Sequence, residues 1–133
     1  MMEKGPYGLN HKLRVELQKA GAAVTQIENE GIGRGVPDMY ATKVLVGPFW
    51  VETKVCRTKA LHVTLSPVQV LWHDKNAAED GAPSFVAVFH EETKLLHLYD
   101  GCDARLIVET AKLDHLVFDT IKNLATWLTL EDH

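Results

Sequence analysis

Apolar and polar positions follow two different periods along the chain, which predicts helices and strands together. Apolar residues recur at helical spacing from Leu9 to Ala20, and Gly21 follows as a stop signal. Short apolar runs bounded by turn residues predict five strands, over residues 22–27, 38–46, 49–55, 84–90 and 95–99. With a second helix after the third strand, the predicted order is α-β-β-β-α-β-β.

Glycine, proline and serine predict where these elements end. Residues 28–37 hold three glycines and a proline, which is typical of a loop. Gly47-Pro48 predicts the turn between the second and third strands. Ser66-Pro67 predicts the start of the second helix, because serine is a good N-cap and proline is favoured at the first helical position. Gly81 is expected to end that helix.

The last third of the chain is less regular. Residues 104–118 mix short apolar runs, whereas residues 120–130 favour a helix with Leu124 and Leu128 on one side. The length of 133 residues fits one compact domain. We therefore expect a single domain over residues 1–133, with residues 104–133 as a C-terminal helical extension.

Composition excludes several classes of protein. No apolar run is long enough to span a bilayer, and the first residues do not resemble a signal peptide. Cys56 and Cys102 belong to no CxxC pair, which argues against a zinc ribbon and suits a reducing compartment. The expected location is the cytoplasm of a bacterium, or of the host if the chain is phage-encoded, without a membrane partner.

The net charge of −4 hides an asymmetry between the two halves. Residues 1–61 hold nine Lys/Arg and six Asp/Glu, a net +3, whereas residues 62–133 hold five and twelve, a net −7. Local charge matters more than total charge for contact with phosphates. The basic half remains compatible with a nucleic-acid partner, and simple surface variation is the other interpretation.

The basic half also carries the candidate chemistry. Asp38 opens the second predicted strand, and Glu52 and Lys54 lie two residues apart in the third, so their side chains share one face. The flanking apolar residues indicate a largely buried strand. Buried ions are costly unless they pair, accept hydrogen bonds or hold a metal. The pattern therefore predicts a divalent-cation site suited to phosphodiester cleavage.

Three segments together resemble the VRR-NUC family of PD-(D/E)xK nucleases, and the archaeal Holliday junction resolvases are similar. They are residues 33–38 (GRGVPD), residues 51–54 (VETK), and residues 65–69 (LSPVQ) followed by Trp72. The resemblance covers roughly residues 7–100. It implies an α/β fold with a PD-(D/E)xK (restriction-endonuclease-like) core, in which a central mixed β-sheet of about five strands is flanked by helices.

The resemblance also implies roles for individual residues. Asp38, Glu52 and the backbone carbonyl of Thr53 would hold Mg²⁺ or Mn²⁺, which prefer oxygen ligands. Lys54 would orient the attacking water or stabilise the transition state, and Gln69 would lie beside it. The expected catalytic residues are thus Asp38, Glu52, Lys54 and Gln69.

One position departs from the family pattern. Related nucleases usually carry a glutamate in the first helix that helps to hold the metal, and here the matching turn contains Asn10. The Asn10 amide could still hold a water of the metal shell. Glu16 could do so only if the helix were rotated, and a solvated Glu16 is the favoured interpretation.

DNA contacts are expected from Arg34 in the glycine-rich loop and from Arg57 and Lys59 after the third strand. No base-reading helix is evident, so recognition should depend on DNA structure rather than sequence. Trp72 is expected to pack in the core. His73 is expected to be solvated or hydrogen-bonded within the fold.

The predicted function is that of a metal-dependent DNA endonuclease acting on branched DNA. The expected partners are a four-way junction and a second copy in a homodimer. Three alternatives stay open. The enzyme could cut flaps or linear duplex, the chain could be a catalytically silent DNA-binding or assembly module, or the motif could occur by chance in an unrelated α/β domain.

Overall fold

The computed structural model describes residues 2–4, 8–27 and 35–131. Four helices are formed by Leu9–Lys19 (α1), Pro67–Ala78 (α2), Ala104–Glu109 (α3) and Ile121–Leu128 (α4). Six strands are formed by Ala23–Gln26 (β1), Met39–Lys43 (β2), Gly47–Cys56 (β3), Ser84–His90 (β4), Leu95–Asp100 (β5) and Leu116–Phe118 (β6). A short 3₁₀ turn, Gly101–Asp103, links β5 to α3.

The six strands form one mixed sheet in the order β1-β2-β3-β4-β5-β6. Every neighbouring pair is antiparallel except β3 and β4, which are parallel. A parallel pair needs a crossover connection, and α2 supplies it. Strand β4 is buried along its whole length, because helices cover both faces of the sheet there.

Two apolar cores lie on opposite faces of the sheet. The larger joins α1 and α4 to the strands through leucines of both helices, Leu9, Leu13, Leu17, Leu124 and Leu128. The smaller joins α2 and α3 to the other face through Val70, Ile107 and Tyr99. None of the described helices is long and apolar enough to cross a membrane.

The predicted stop of α1 at Gly21 is confirmed. Gly21 has φ +99°, and its N–H donates to the carbonyl of Gln18 while that of Ala22 donates to the carbonyl of Leu17. This pair of bonds is a Schellman motif, which favours glycine. At the end of α2 the left-handed residue is Asp80, φ +54°, and not the predicted Gly81.

The predicted turn at Gly47-Pro48 is wrong. Both residues belong to β3, Gly47 pairs with Lys43, and the loop consists of Val44, Leu45 and Val46. Because all three loop residues are apolar, the hydrophobic pattern did not indicate a loop here. Leu45 takes φ +72°, a conformation that glycine or asparagine adopts at lower cost.

The C-terminal extension is helical only in part. Residues 104–109 and 121–128 are helices, but residues 116–118 pair with β5 and make the sheet six strands wide. Three residues are too few for an alternating pattern to identify a strand.

Candidate active site

The two predicted acidic residues meet because of strand register. Met39 at the start of β2 pairs with Val51 of β3, so Asp38 and Glu52 lie side by side. The Thr53 backbone N–H donates to Asp38 Oδ2 at 2.8 Å, and the Thr53 hydroxyl, whose single proton can go instead to Asn10 Oδ1, lies 3.0 Å from the same oxygen. The Asp38 carboxylate is therefore held by β3 itself.

Glu52 is among the most buried charged residues described, with 1% of its surface exposed. Its Oε1 accepts a hydrogen bond from Gln69 Nε2 at 3.3 Å. Lys54 Nζ donates to Oε1 of the same glutamine at 3.0 Å. Glu52 and Lys54 thus share one face of β3, as predicted, and one glutamine on α2 contacts both.

Gln69 is positioned by its part in the N-terminal cap of α2. Ser66 is the N-cap of α2, and its Oγ accepts from the Gln69 N–H at 3.3 Å. The Ser66 N–H in turn donates to Gln69 Oε1 at 2.9 Å, which completes a capping box. Since a carbonyl oxygen has two lone pairs, Gln69 can accept from Ser66 and Lys54 together.

Asn10 reaches the site from the opposite face of the sheet. It is a buried residue of α1, and its Oδ1 accepts a hydrogen bond from the Thr53 hydroxyl. Thr53 in turn binds Asp38, so Asn10 supports the acidic pair through one intermediary. Glu16 lies away from Asp38 and Glu52, because it is six residues after Asn10 and faces another side of α1. There it pairs with Lys19 at 3.4 Å.

A second lysine, which the sequence did not reveal, lies between the two carboxylates. Lys4 Nζ is 3.2 Å from Asp38 Oδ2 and 3.5 Å from Glu52 Oε2. The only sequence signal was its position shortly before the helix that carries Asn10. Both carboxylates therefore converge on a single cationic group.

The pKa values of Asp38 and Glu52 are shifted in opposite directions. Burial, together with the hydrogen bond to Asp38 and the charge of Asp38, raises the pKa of Glu52 to about 9. Burial would also raise the pKa of Asp38, but its hydrogen bond with Glu52, the charge of Lys4 and the two bonds from Thr53 lower it below its usual value. Of the two acids, Glu52 is thus the one that holds a proton more readily, although Lys4 lies beside both.

The pKa of Lys54 is also perturbed. Burial lowers it, and the charge of Lys4 acts in the same direction, while Glu52 and Asp38 oppose the shift. A half-buried lysine with a lowered pKa, hydrogen-bonded to a fixed amide, is typical of functional sites. Beside Lys54, a cavity of about 130 Å³ is bordered by Arg57 and His62.

A metal would find few protein ligands here. Across residues 2–4, 8–27 and 35–131, no group of three or more His, Cys, Asp or Glu side chains is arranged to hold one. Asp38 and Glu52 nevertheless meet around the Lys4 ammonium, which acts as a stand-in cation. Two carboxylates fit Mg²⁺ or Mn²⁺, because these ions keep several waters. A role for the Thr53 carbonyl stays a prediction.

Two of the three residues predicted to contact DNA lie on the exposed segment after β3. Arg57 is exposed, but its Nη2 donates to the Met2 carbonyl at 2.9 Å and lies 3.4 Å from Glu3 Oε2. Lys59 is exposed on the segment after β3. Arg34 lies outside the described residues.

Trp72 and His73, which follow Gln69 on α2, make contacts within the fold. Trp72 is half-buried, with its ring centroid 5.1 Å from that of Trp50, and Trp50 lies 4.5 Å from Tyr40. His73 is fully buried, and its Nδ1 shares a 2.8 Å hydrogen bond with Ser84 Oγ. The expectation of a hydrogen-bonded His73 is confirmed, whereas Trp72 packs against Trp50 outside both apolar cores.

Comparison with known proteins identifies the fold. No protein-family model and no curated protein matches the chain. Among solved structures, it is similar to Hjc of Archaeoglobus fulgidus, described as a Holliday junction resolvase from an archaeal hyperthermophile. The identity is 25%, the TM-score is 0.55, and the match covers 86% of this chain and 87% of that one. The chain therefore has the restriction-endonuclease-like fold predicted from its sequence, and the finer resemblance to VRR-NUC nucleases stays a prediction.

Proposed function

We propose that the protein is a divalent-metal-dependent DNA endonuclease that acts on branched DNA. The observation that carries the proposal is the convergence of Asp38 and Glu52 on one cation position, with Lys54 held beside Glu52 by Gln69. Similarity to a Holliday junction resolvase along most of both chains supports the reaction class and a four-way junction as substrate.

The chemistry is hydrolysis of a phosphodiester bond. Bound Mg²⁺ or Mn²⁺ would supply a Lewis acid that polarises the phosphate and lowers the pKa of water. Asp38 and Glu52 would hold that cation through their carboxylate oxygens. Lys54, oriented by Gln69, positions the attacking water and stabilises the added negative charge on phosphorus. A P–O bond would form to the water oxygen, which loses a proton to solvent, as the bond to the 3′-oxygen breaks. The 3′-oxygen would take up a proton from solvent, leaving a 5′-phosphate and a 3′-hydroxyl.

Cleavage assays test the proposal. A synthetic four-way junction, a flap and a linear duplex of matched sequence would be incubated with Mg²⁺, with Mn²⁺ and with EDTA. We expect preferential, metal-dependent cleavage of the junction by the wild type. Preference for flap or linear duplex would replace the substrate while retaining the reaction class.

Two variants locate the reaction. Lys54→Met should lower the cleavage rate by at least about 100-fold, the scale on which loss of one electrostatic stabiliser acts. Lys75→Met is the matched control, because Lys75 is an exposed lysine of α2 whose only ion pair with a described residue is a 4.0 Å contact with Glu79. Equal rates for wild type and Lys54→Met would contradict the mechanism.

One observation favours a second candidate, a catalytically silent DNA-binding module of the same fold. Asn10 stands where related nucleases carry an acid, and its amide oxygen is engaged by Thr53. Calorimetric titration with Mn²⁺ separates the two, because a silent module should bind junction DNA without binding the metal. A homodimer, which would suit a symmetric junction, can be tested by light scattering.

A further inference from the structure

The N-terminal segment 2–4 lies across the candidate active site and is fixed there. The carbonyls of Glu3 and Lys4 accept hydrogen bonds from the first-turn N–H groups of Leu9 and Asn10 in α1. These N–H groups have no partner within the helix, so the segment completes the end of α1. The position of Lys4 is thereby linked to the helix that carries Asn10.

Two further contacts fix the segment. The Met2 carbonyl accepts from Arg57 Nη2 at 2.9 Å, just beyond the strand that carries Glu52. A side chain on Gly8 would overlap the Glu3 carbonyl, so glycine permits this close approach. The segment is thus held by the helix on one side and by the end of β3 on the other.

We propose that Lys4 is an internal counter-ion, which occupies the cation position between Asp38 and Glu52 until a divalent ion displaces it. The inference rests on the proposed function. One ammonium within 3.5 Å of both carboxylates partly neutralises them, and two cations cannot share this position without strong repulsion. The Lys4 side chain is 36% exposed, so its flexible stem can swing to solvent while its backbone stays bonded to α1.

This arrangement has a measurable consequence for cation affinity. Each binding event must first separate Lys4 from the two acids, so Lys4 weakens the binding of the divalent ion. Lys4→Met keeps an unbranched, flexible side chain of similar size and removes the competing charge. We expect it to bind Mn²⁺ at least about fivefold more tightly than the wild type in the absence of DNA, because the like charge is gone.

The test is a calorimetric Mn²⁺ titration of the metal-free, full-length proteins, with thermal unfolding followed in parallel. Lys19→Met is the control, because it removes the same charge from an exposed residue that pairs with Glu16 outside the site. Lys4→Arg, which keeps the charge, should bind Mn²⁺ less tightly than Lys4→Met. Only Lys4→Met should show the tighter binding and a larger rise in melting temperature on adding Mn²⁺.

The outcomes separate this inference from the proposed function. Unchanged or weaker Mn²⁺ binding by Lys4→Met, with a wild type that binds Mn²⁺ and cuts the junction, overturns the counter-ion role alone. An equal gain in Lys19→Met also overturns it, since the effect would then be one of net charge. Absence of Mn²⁺ binding in both wild type and Lys4→Met overturns the counter-ion role and the metal-dependent mechanism together.

Discussion

Lys54 and Gln69 are joined by a 3.0 Å hydrogen bond between Nζ and Oε1, and the same oxygen also closes the N-terminal cap of α2. The candidate catalytic lysine is therefore oriented by the first turn of a helix. A residue so placed serves the site and the stability of its helix at once, and suitable substitutions can separate these effects.

Gln69→Ala should reduce junction cleavage about 10- to 100-fold, because Lys54 loses the group that positions it. Ser66→Ala is the matched variant, since it removes the other half of the capping box and leaves the Lys54 contact in place. It should cost about 1 kcal/mol of unfolding free energy and keep most of the cleavage rate. Urea unfolding and single-turnover cleavage would measure both quantities. Equal loss of activity in the two variants would argue that Gln69 acts only through helix stability.

Asn10→Asp should strengthen Mn²⁺ binding by roughly tenfold, because cation affinity depends on the number of charged ligands. The aspartate can still accept the hydrogen bond from Thr53, so the local packing is preserved. Without metal, a buried carboxylate at position 10, added to those of Asp38 and Glu52, should lower the melting temperature. Titration calorimetry should show a higher Mn²⁺ affinity than that of the wild type. Thermal unfolding without metal should show a lower melting temperature. A variant with unaltered Mn²⁺ affinity would show that Asn10 has no part in the metal shell.

His97 should make the protein less stable in mild acid. It lies in the sheet with its Nδ1 2.7 Å from His115 Nε2, and burial together with the charges of His115 and His90 lowers its pKa to about 4. Between pH 6.5 and pH 4 the unfolded chain binds a proton at this residue and the native protein does not. Stability is thus complete above about pH 6.5 and falls by at most about 3 kcal/mol per such histidine as the pH drops to 4.

His97→Gln provides the test of that pH dependence. The free energy of unfolding, measured with denaturant at pH 7 and at pH 4.5, should differ less between the two pH values for this variant than for the wild type. Some dependence should remain, because burial also lowers the pKa of His73 to about 4. His62→Gln, at an exposed position, should leave the difference unchanged. An undiminished pH dependence in His97→Gln would assign the acid sensitivity to other groups.

Leu45→Gly should stabilise the protein by about 0.5–1 kcal/mol, because it relieves a left-handed leucine whose side chain is 79% exposed. Val44→Gly is the control in the same loop. Val44 is also exposed but has no positive φ, so glycine there should destabilise through the entropy of the unfolded chain. Chemical denaturation of both variants would show shifts of opposite sign. A loss of stability in Leu45→Gly would indicate that the leucine makes a contact outweighing its backbone strain.

Local signals in the sequence predicted most of the fold and much of the site. Capping at Ser66, the stop at Gly21 and the shared face of Glu52 and Lys54 depend on neighbours a few residues apart, so the sequence displays them directly. The turn at residues 44–46 was not predicted, because its residues are apolar and a hydrophobic pattern carries no information on backbone strain.

The missed features depend on distant contacts. Lys4 reaches Glu52 across 48 positions, and only the folded sheet and the start of α1 bring them together. The pairing of His97 with His115 likewise requires β5 and the chain before β6 to be adjacent. Register between β2 and β3 places Asp38 beside Glu52, and no pattern within either strand fixes that register.

The single parallel pair in the sheet has a consequence for how the protein becomes active. Strands β3 and β4 can pair only after the chain has closed a crossover through α2, and such non-local contacts form slowly during folding. Gln69 lies on that crossover, so its bridge between Glu52 and Lys54 is expected to form together with the parallel pair. A nascent chain that has not yet added β4 would carry both acids and both lysines without an assembled site. Under the proposed function, its ability to cut DNA would thus appear late, at the completion of folding.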